Sequence, residues 1–127
     1  MNMNHSARIL VIDDDPDIGI MIKMMLEYKG YFVSVALRAD QAEEMMEEEN
    51  FDLIIMDMLL SGTNGIDLCN DLKKNAKTAA LPVIMISAHP NAKEICIKAG
   101  ADEFISKPFD MQDILAKIQQ LVTHKPA

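Results

Sequence analysis

Five short stretches of the chain are apolar almost without interruption: RILVI at Arg8–Ile12, YFVSVA at Tyr31–Ala36, LIIM within Leu53–Met56, VIMI at Val83–Ile86, and EFI at Glu103–Ile105. A short apolar run bounded by turn signals reads as a strand buried on both faces. YFVSVA alternates in part, as an edge strand does. Between the runs the apolar spacing changes to that of helices. Asp15-Pro16 is a cap followed by proline at the first helical position, and Gly30 stops that helix after Lys29. Further helices are expected over Asp40–Asn50, Ile66–Asn75 and Asn91–Ala99, the last ending at Gly100. Asp110 caps a final helix with Ile114, Leu115, Ile118, Leu121 and Val122 on one stripe.

Strands alternating with helix-length connections predict an α/β fold, a doubly wound parallel sheet with helices on both faces. Five strands suit the flavodoxin-like order 2-1-3-4-5, whose switch point lies between strands 1 and 3. The domain is expected over residues 8–123, with tails at 1–7 and 124–127. On the first helix, Ile18, Met21, Ile22 and Met25 are expected to face the sheet. Ile20 and Met24 then point outward, one turn apart, and become candidates for a partner surface.

The chain has 127 residues, which fits one domain able to bury about two-thirds of its unfolded surface. A net charge of −8 argues against direct contact with nucleic acid or an anionic membrane. Glu43, Glu44, Glu47, Glu48 and Glu49 read as a solvated outer face. Cys69 and Cys96 lie in helical stretches without a CxxC or a Cys/His cluster. They read as reduced thiols packed as small apolar groups, which points to a reducing compartment, the cytoplasm. The N-terminal segment lacks the apolar core of a signal peptide, and no apolar run reaches membrane-spanning length.

The ends of the strands carry the chemistry. Strand 1 ends in Asp13 and Asp14, strand 3 in Asp57, strand 4 in Ser87 and strand 5 in Lys107. Each of these residues alone has a bland account. Asp57 and Ser87 can be strand terminators, and Lys107 a surface lysine. In a parallel sheet, however, all of them gather at one edge, where such folds bind ligands. Clustered carboxylates repel, and a hard divalent cation resolves the repulsion. Lys107 then makes the pocket attractive to a phosphoryl group, with Asp57 on the central strand as nucleophile and Ser87 as hydrogen-bond donor. Asp15 reads as a helix cap and His89 as a rim residue. No phosphate-binding GxxxxGK[ST] or GxGxxG loop is present.

Asp13-Asp14 after ILVI, Asp57 after LIIM, Ser87-Ala88 and Lys107-Pro108-Phe109 together resemble the receiver domain of two-component response regulators, over about Arg8 to Val122. The resemblance implies a phosphoacceptor that takes its phosphoryl group from a sensor histidine kinase or histidine phosphotransfer protein. It would not be an enzyme in the usual sense, since it promotes only its own phosphorylation and slow dephosphorylation. Asp57 would be the phosphoacceptor. Asp14 and Asp57 would ligate Mg²⁺ (or Mn²⁺) directly, Asp13 partly through water, and the backbone carbonyl of Leu59 would complete the set. Ser87, the Ala88 backbone and Lys107 would contact the phosphoryl group. Ser87 and Phe104 would act as the switch, changing the surface of helix 4, strand 5 and helix 5. Ile20 and Met24 would meet the kinase. The downstream target is a further protein, and a homodimer through helices 4 and 5 is left open. No residues remain after the last helix for an output domain, so the expected setting is either a stand-alone receiver or a piece of a longer regulator.

Three departures stand out, one being that Phe104 lacks a hydroxyl, so any switching there relies on packing alone. Receivers usually read D-x-x-M-P after the acceptor, and this chain has Leu60-Ser61 there. Leu59 has no polar group to orient an attacking water, which predicts a slowly lost phosphoryl group. Two rival readings remain. A haloacid-dehalogenase-like phosphatase would need a second acid at position 59, which is Leu. A receiver-like module that never carries phosphate would have no use for the complete acidic set and Lys107.

Overall fold

A computed structural model of the chain describes residues 7–60 and 63–123. Ser61, Gly62 and both expected tails lie outside the described residues, except Ala7. That residue is buried, and its carbonyl accepts a hydrogen bond from the Phe32 N–H at 3.0 Å.

The main sheet holds β1 (Arg8–Ile12), β2 (Phe32–Ala36), β3 (Leu53–Asp57), β6 (Val83–Ser87) and β7 (Glu103–Ser106). Two further strands, β4 (Leu59–Leu60) and β5 (Thr63–Asn64), form a small antiparallel hairpin beyond β3, where the sequence reads as a loop. The sheet order is β2-β1-β3-β6-β7, with every neighbour parallel. Counted over the five long strands, this is the expected 2-1-3-4-5. The helices are α1 (Pro16–Tyr28), α2 (Ala39–Glu48), α3 (Gly65–Lys74), α4 (Ala92–Lys98) and α5 (Met111–Thr123).

Side chains leave a strand alternately to its two faces, and the core divides accordingly. Leu10, Ile12, Ile54, Met56, Val83 and Met85 pack with α2, α3 and α4 residues such as Ala42, Leu68, Cys69 and Cys96. Ile9, Val11, Leu53, Ile55, Ile84 and Ile86 pack with Ile22, Leu26, Ile114 and Ile118 of α1 and α5. Fully burying each such aliphatic side chain stabilises by about 1.5–3 kcal/mol. Covered on both faces, β3 and β6 have no polar position before their last residue.

Local chemistry starts and stops the helices. Asp15 caps α1 by accepting a hydrogen bond from the Asp17 N–H at 3.0 Å. Asn64 does the same for α3 through the Ile66 N–H at 2.8 Å. Asp110 accepts from the Gln112 N–H at 3.0 Å ahead of α5. Gly30 ends α1 at a φ of 100°, where only glycine is unstrained.

One expectation is corrected. Met21 and Met25 do not face the sheet: they are 42% and 41% exposed. The inner face of α1 is Gly19, Ile22 and Leu26, flanked by Ile18. Gly19 explains the rotation. A Cβ there would lie 2.9 Å from a Val35 methyl, so the bare backbone lets α1 sit against β2 along that line. Ile20 and Met24 are exposed, as expected.

Candidate functional site

The parallel register brings the strand ends to one edge. Ile12 of β1 lies beside Met56 of β3, Asp57 beside Ile86 of β6, and Ser87 beside Ser106 of β7. At these pairs or one residue past them the strands end in polar side chains, Asp57 and Ser87 within the pairs and Asp13 and Lys107 just beyond. Asp13 leaves β1 with its N–H donating to the Ala36 carbonyl of β2 at 3.1 Å. The Met58 N–H donates to the Ile86 carbonyl at 2.9 Å, holding the exit of β3 against β6. The Lys107 N–H donates to the Ser87 carbonyl at 2.9 Å, holding the exit of β7 the same way. Backbone hydrogen bonds thus place Asp13, Asp57, Ser87 and Lys107 before any side chain meets another.

Lys107 Nζ donates to Asp57 Oδ2 at 2.7 Å. The other oxygen, Oδ1, accepts from the Leu59 N–H at 2.9 Å. Asp57 is therefore oriented at both oxygens, with only 11% of its side chain exposed. Asp13 is 2% exposed, and its Oδ1 accepts from the Asp15 N–H at 2.9 Å. Ser87 is 3% exposed, and its Oγ accepts from the His89 N–H at 3.0 Å. The Lys107–Pro108 peptide bond is cis.

Burial pushes the Asp13 carboxyl up to about 6, and the charges of Asp57 and Asp14 add to this. The hydrogen bond from the Asp15 N–H and the charge of Lys107 oppose it without cancelling it. Burial alone would lower Lys107. Its hydrogen bond to Asp57 and the charges of Asp57, Asp13 and Asp15 outweigh that, and the ammonium titrates above its ordinary value. The edge therefore holds more carboxylate than one lysine can offset. An oxygen-only donor set of this kind fits a small hard divalent cation that takes one or two carboxylates and keeps water. Among the described residues no three acidic, His or Cys side chains close into a metal cage.

Of the other expected residues, some lie at the rim of this centre and some in the core. Ala88 and His89 are exposed at the rim, where His89 Nδ1 accepts from the Asn91 N–H at 3.2 Å. Phe104 is half-buried against the core, opposite Met85 in register. Leu59 is 61% exposed. Cys69 and Cys96 are buried, and burial raises both thiols, Cys96 to about 11, so neither serves as a nucleophile near neutrality.

Gly65 is a residue that sequence reasoning treated only as a turn former. A Cβ there would run into the Asp57 carbonyl oxygen and lie 2.8 Å from the Met58 carbonyl oxygen. The Gly65 N–H donates to that Met58 oxygen at 2.9 Å. The start of α3 thus rests directly on the backbone that carries Asp57. The Asn64-Gly65 pair was the only local signal.

The chain matches the family described as response regulator receiver domain over residues 9–119. It is 32% identical over 117 residues to the phosphate regulon transcriptional regulatory protein PhoB of Rhizobium meliloti. It is 33% identical to the DNA-binding dual master transcriptional regulator RpaA of Synechocystis. These alignments take in 91% of this chain but 52% and 48% of the relatives, so the chain spans about half the length of the curated relatives it matches. Among solved structures, a putative response regulator from Chloroflexus aurantiacus superposes with a TM-score of 0.90 at 28% identity, over 94% of this chain and 100% of that one. The receiver domain of sensor histidine kinase PA1611 from Pseudomonas aeruginosa superposes at 0.85 with 25% identity, over 94% and 99%. That structure has a magnesium ion coordinated in its active site cleft.

Proposed function

The chain belongs to the family of response-regulator receiver domains, and on that premise we propose that Asp57 is its phosphoacceptor. The observation that carries this reading is the 2.7 Å contact of Lys107 with Asp57 beside the buried Asp13, at the carboxyl edge of the sheet. An oxygen of Asp57 attacks the phosphorus of a partner phosphohistidine. A P–O bond forms, the P–N bond breaks, and the electron pair leaves with the imidazole, which takes up a proton. Lys107 offsets the negative charge on the transferring oxygens, and the Ser87 hydroxyl and Ala88 backbone hydrogen-bond them. Asp14, Asp57, the Leu59 carbonyl and, through water, Asp13 would hold Mg²⁺, which when bound supplies further neutralisation of charge. Mn²⁺ has the same oxygen preference.

Afterwards Ser87 turns toward the phosphoryl group and Phe104 repacks in the space it leaves. The populations of the α4, β7 and α5 surface change as a result. The partners are a sensor histidine kinase or histidine phosphotransfer protein on one side and a target protein on the other. The first docks over α1, where Ile20 and Met24 are 52% and 65% exposed. Two buried free thiols support the cytoplasm as the location.

Incubation with Mg²⁺ and acetyl phosphate separates this reading from its rivals. A stoichiometric acyl phosphate is expected. Continuous turnover of phosphate esters would instead support a hydrolase, and no label at all would support a module that binds without carrying phosphate.

A further inference from the structure

Sulfur is distributed unevenly over this molecule. Of the methionines among the described residues, Met56, Met58 and Met85 are buried in the core. Met45, Met46 and Met111 are partly buried and packed against it. Met21, Met24 and Met25 are the exposed ones, at 42%, 65% and 41%, and all three stand on α1. At the helical period they fall, with the exposed Ile20 and Tyr28, on one continuous outer strip. Lys23, the basic residue of α1, is turned off that strip. Its ammonium joins Glu27 at 2.7 Å and the Val33 carbonyl at 2.9 Å.

The thiols are withdrawn from solvent. Cys69 and Cys96 are buried, and burial keeps both protonated, Cys96 with its pKa pushed up to about 11. Oxidants react with exposed thiolate, and neither cysteine offers one. Among the described residues, an oxidant arriving from solvent therefore meets the thioether sulfurs of α1 first.

We propose that Met21, Met24 and Met25 are sites of reversible sulfoxidation by a peroxide, and that the modified face no longer docks a protein phosphodonor. The second half rests on the reading of α1 as the docking surface. A sulfur lone pair attacks one oxygen of hydrogen peroxide. An S–O bond forms, the O–O bond breaks, and the departing hydroxide takes the proton from the sulfur-bound oxygen and leaves as water. Sulfur is oxidised by two electrons and the peroxide is reduced. Each product is a polar sulfoxide where an apolar thioether stood. Its oxygen must shed water before a partner can seat against the strip, and an apolar partner surface offers no hydrogen bond in return. Before oxidation the same flexible thioethers suit a surface that adapts to its partner. Methionine sulfoxide reductases, one for each epimer, restore the thioether.

The test treats the full chain with hydrogen peroxide, which is then removed. Peptide mapping is expected to find oxygen on Met21, Met24 and Met25 well before Met45, Met46, Met56, Met58, Met85 or Met111. Transfer from a phosphohistidine phosphotransfer protein is expected to slow by about tenfold or more and to recover after treatment with the two reductases. Labelling of the oxidised protein by acetyl phosphate should stay constant, because a small donor does not touch the strip. The triple variant Met21→Leu, Met24→Leu, Met25→Leu, whatever its starting rate, should accept phosphoryl groups equally fast before and after peroxide. Oxygen on the core methionines as early as on α1, an equal slowing in the triple variant, or an undiminished rate in the oxidised wild type would overturn the proposal. In the last case, slow transfer to Ile20→Lys with Met24→Lys would keep α1 as the docking surface and confine the failure to the oxidation. Fast transfer to that variant would remove both.

Discussion

Asp13 is a carboxylate kept 2% exposed beside two others, and it shows how the site depends on pH. In metal-free protein the folded state keeps this proton up to about pH 6, whereas an unfolded chain gives it up near 3.8. Between those values the folded state binds more protons, so stability falls as pH rises through the window. The loss from this group is roughly 3 kcal/mol. Urea unfolding in chelator across that range should show the fall in the wild type and lose that share of it in Asp13→Asn; identical slopes would count against it. Leu59 sets a second prediction. Its exposed side chain cannot position water against an acyl phosphate, and Leu59→Asn supplies a group that can. The phosphoryl half-life should shorten by about tenfold or more in that variant, as read from the decay of labelled protein.

At the scale of elements, the junction of β3 with α3 is the part least tolerant of change. Gly65→Ala would place a methyl against two backbone carbonyls that cannot move without shifting Asp57. A destabilisation of about 1–3 kcal/mol is expected in denaturant unfolding, with slower phosphorylation besides. This contact was not legible in the sequence because it joins backbone atoms through space. The strands were legible because burial on both faces makes them unbroken apolar runs. The acidic edge was legible for the same reason: in a parallel sheet each run ends at a shared edge, so Asp13, Asp57, Ser87 and Lys107 can be brought together by counting alone. Periodicity misplaced Met21 and Met25 because Gly19 turns α1 onto Val35, and that packing depends on another element. The β4–β5 hairpin escaped for want of length, having two residues in each strand. Lys73 is a similar case. Its ammonium joins the Leu81 carbonyl at 2.8 Å and Asp102 at 2.9 Å, pinning α3 to the loops before β6 and β7, and nothing in its own stretch announces this.

The whole molecule is strongly acidic, with a net charge of −8, yet one helix presents an apolar surface. Ile20, Met21, Met24, Met25 and Tyr28 are between 41% and 87% exposed along α1. The rotation that Gly19 permits widens the pair Ile20 and Met24 into a broader patch, which suits a protein partner that must approach Asp57 closely. Ile20→Lys with Met24→Lys should slow transfer from a phosphohistidine protein while leaving labelling by acetyl phosphate unchanged, since the small donor makes no surface contact. Equal transfer rates from the protein donor would remove α1 from the interface.

The account stands or falls on Asp57. The most direct measurement is the intact mass of the protein after incubation with Mg²⁺ and acetyl phosphate, followed by mapping of the modified residue. The wild type should gain one phosphoryl group, located on Asp57, and Asp57→Asn should gain none. A phosphoryl group on Asp13 or Asp14 in the wild type, or equal labelling of Asp57→Asn, would contradict the central claim.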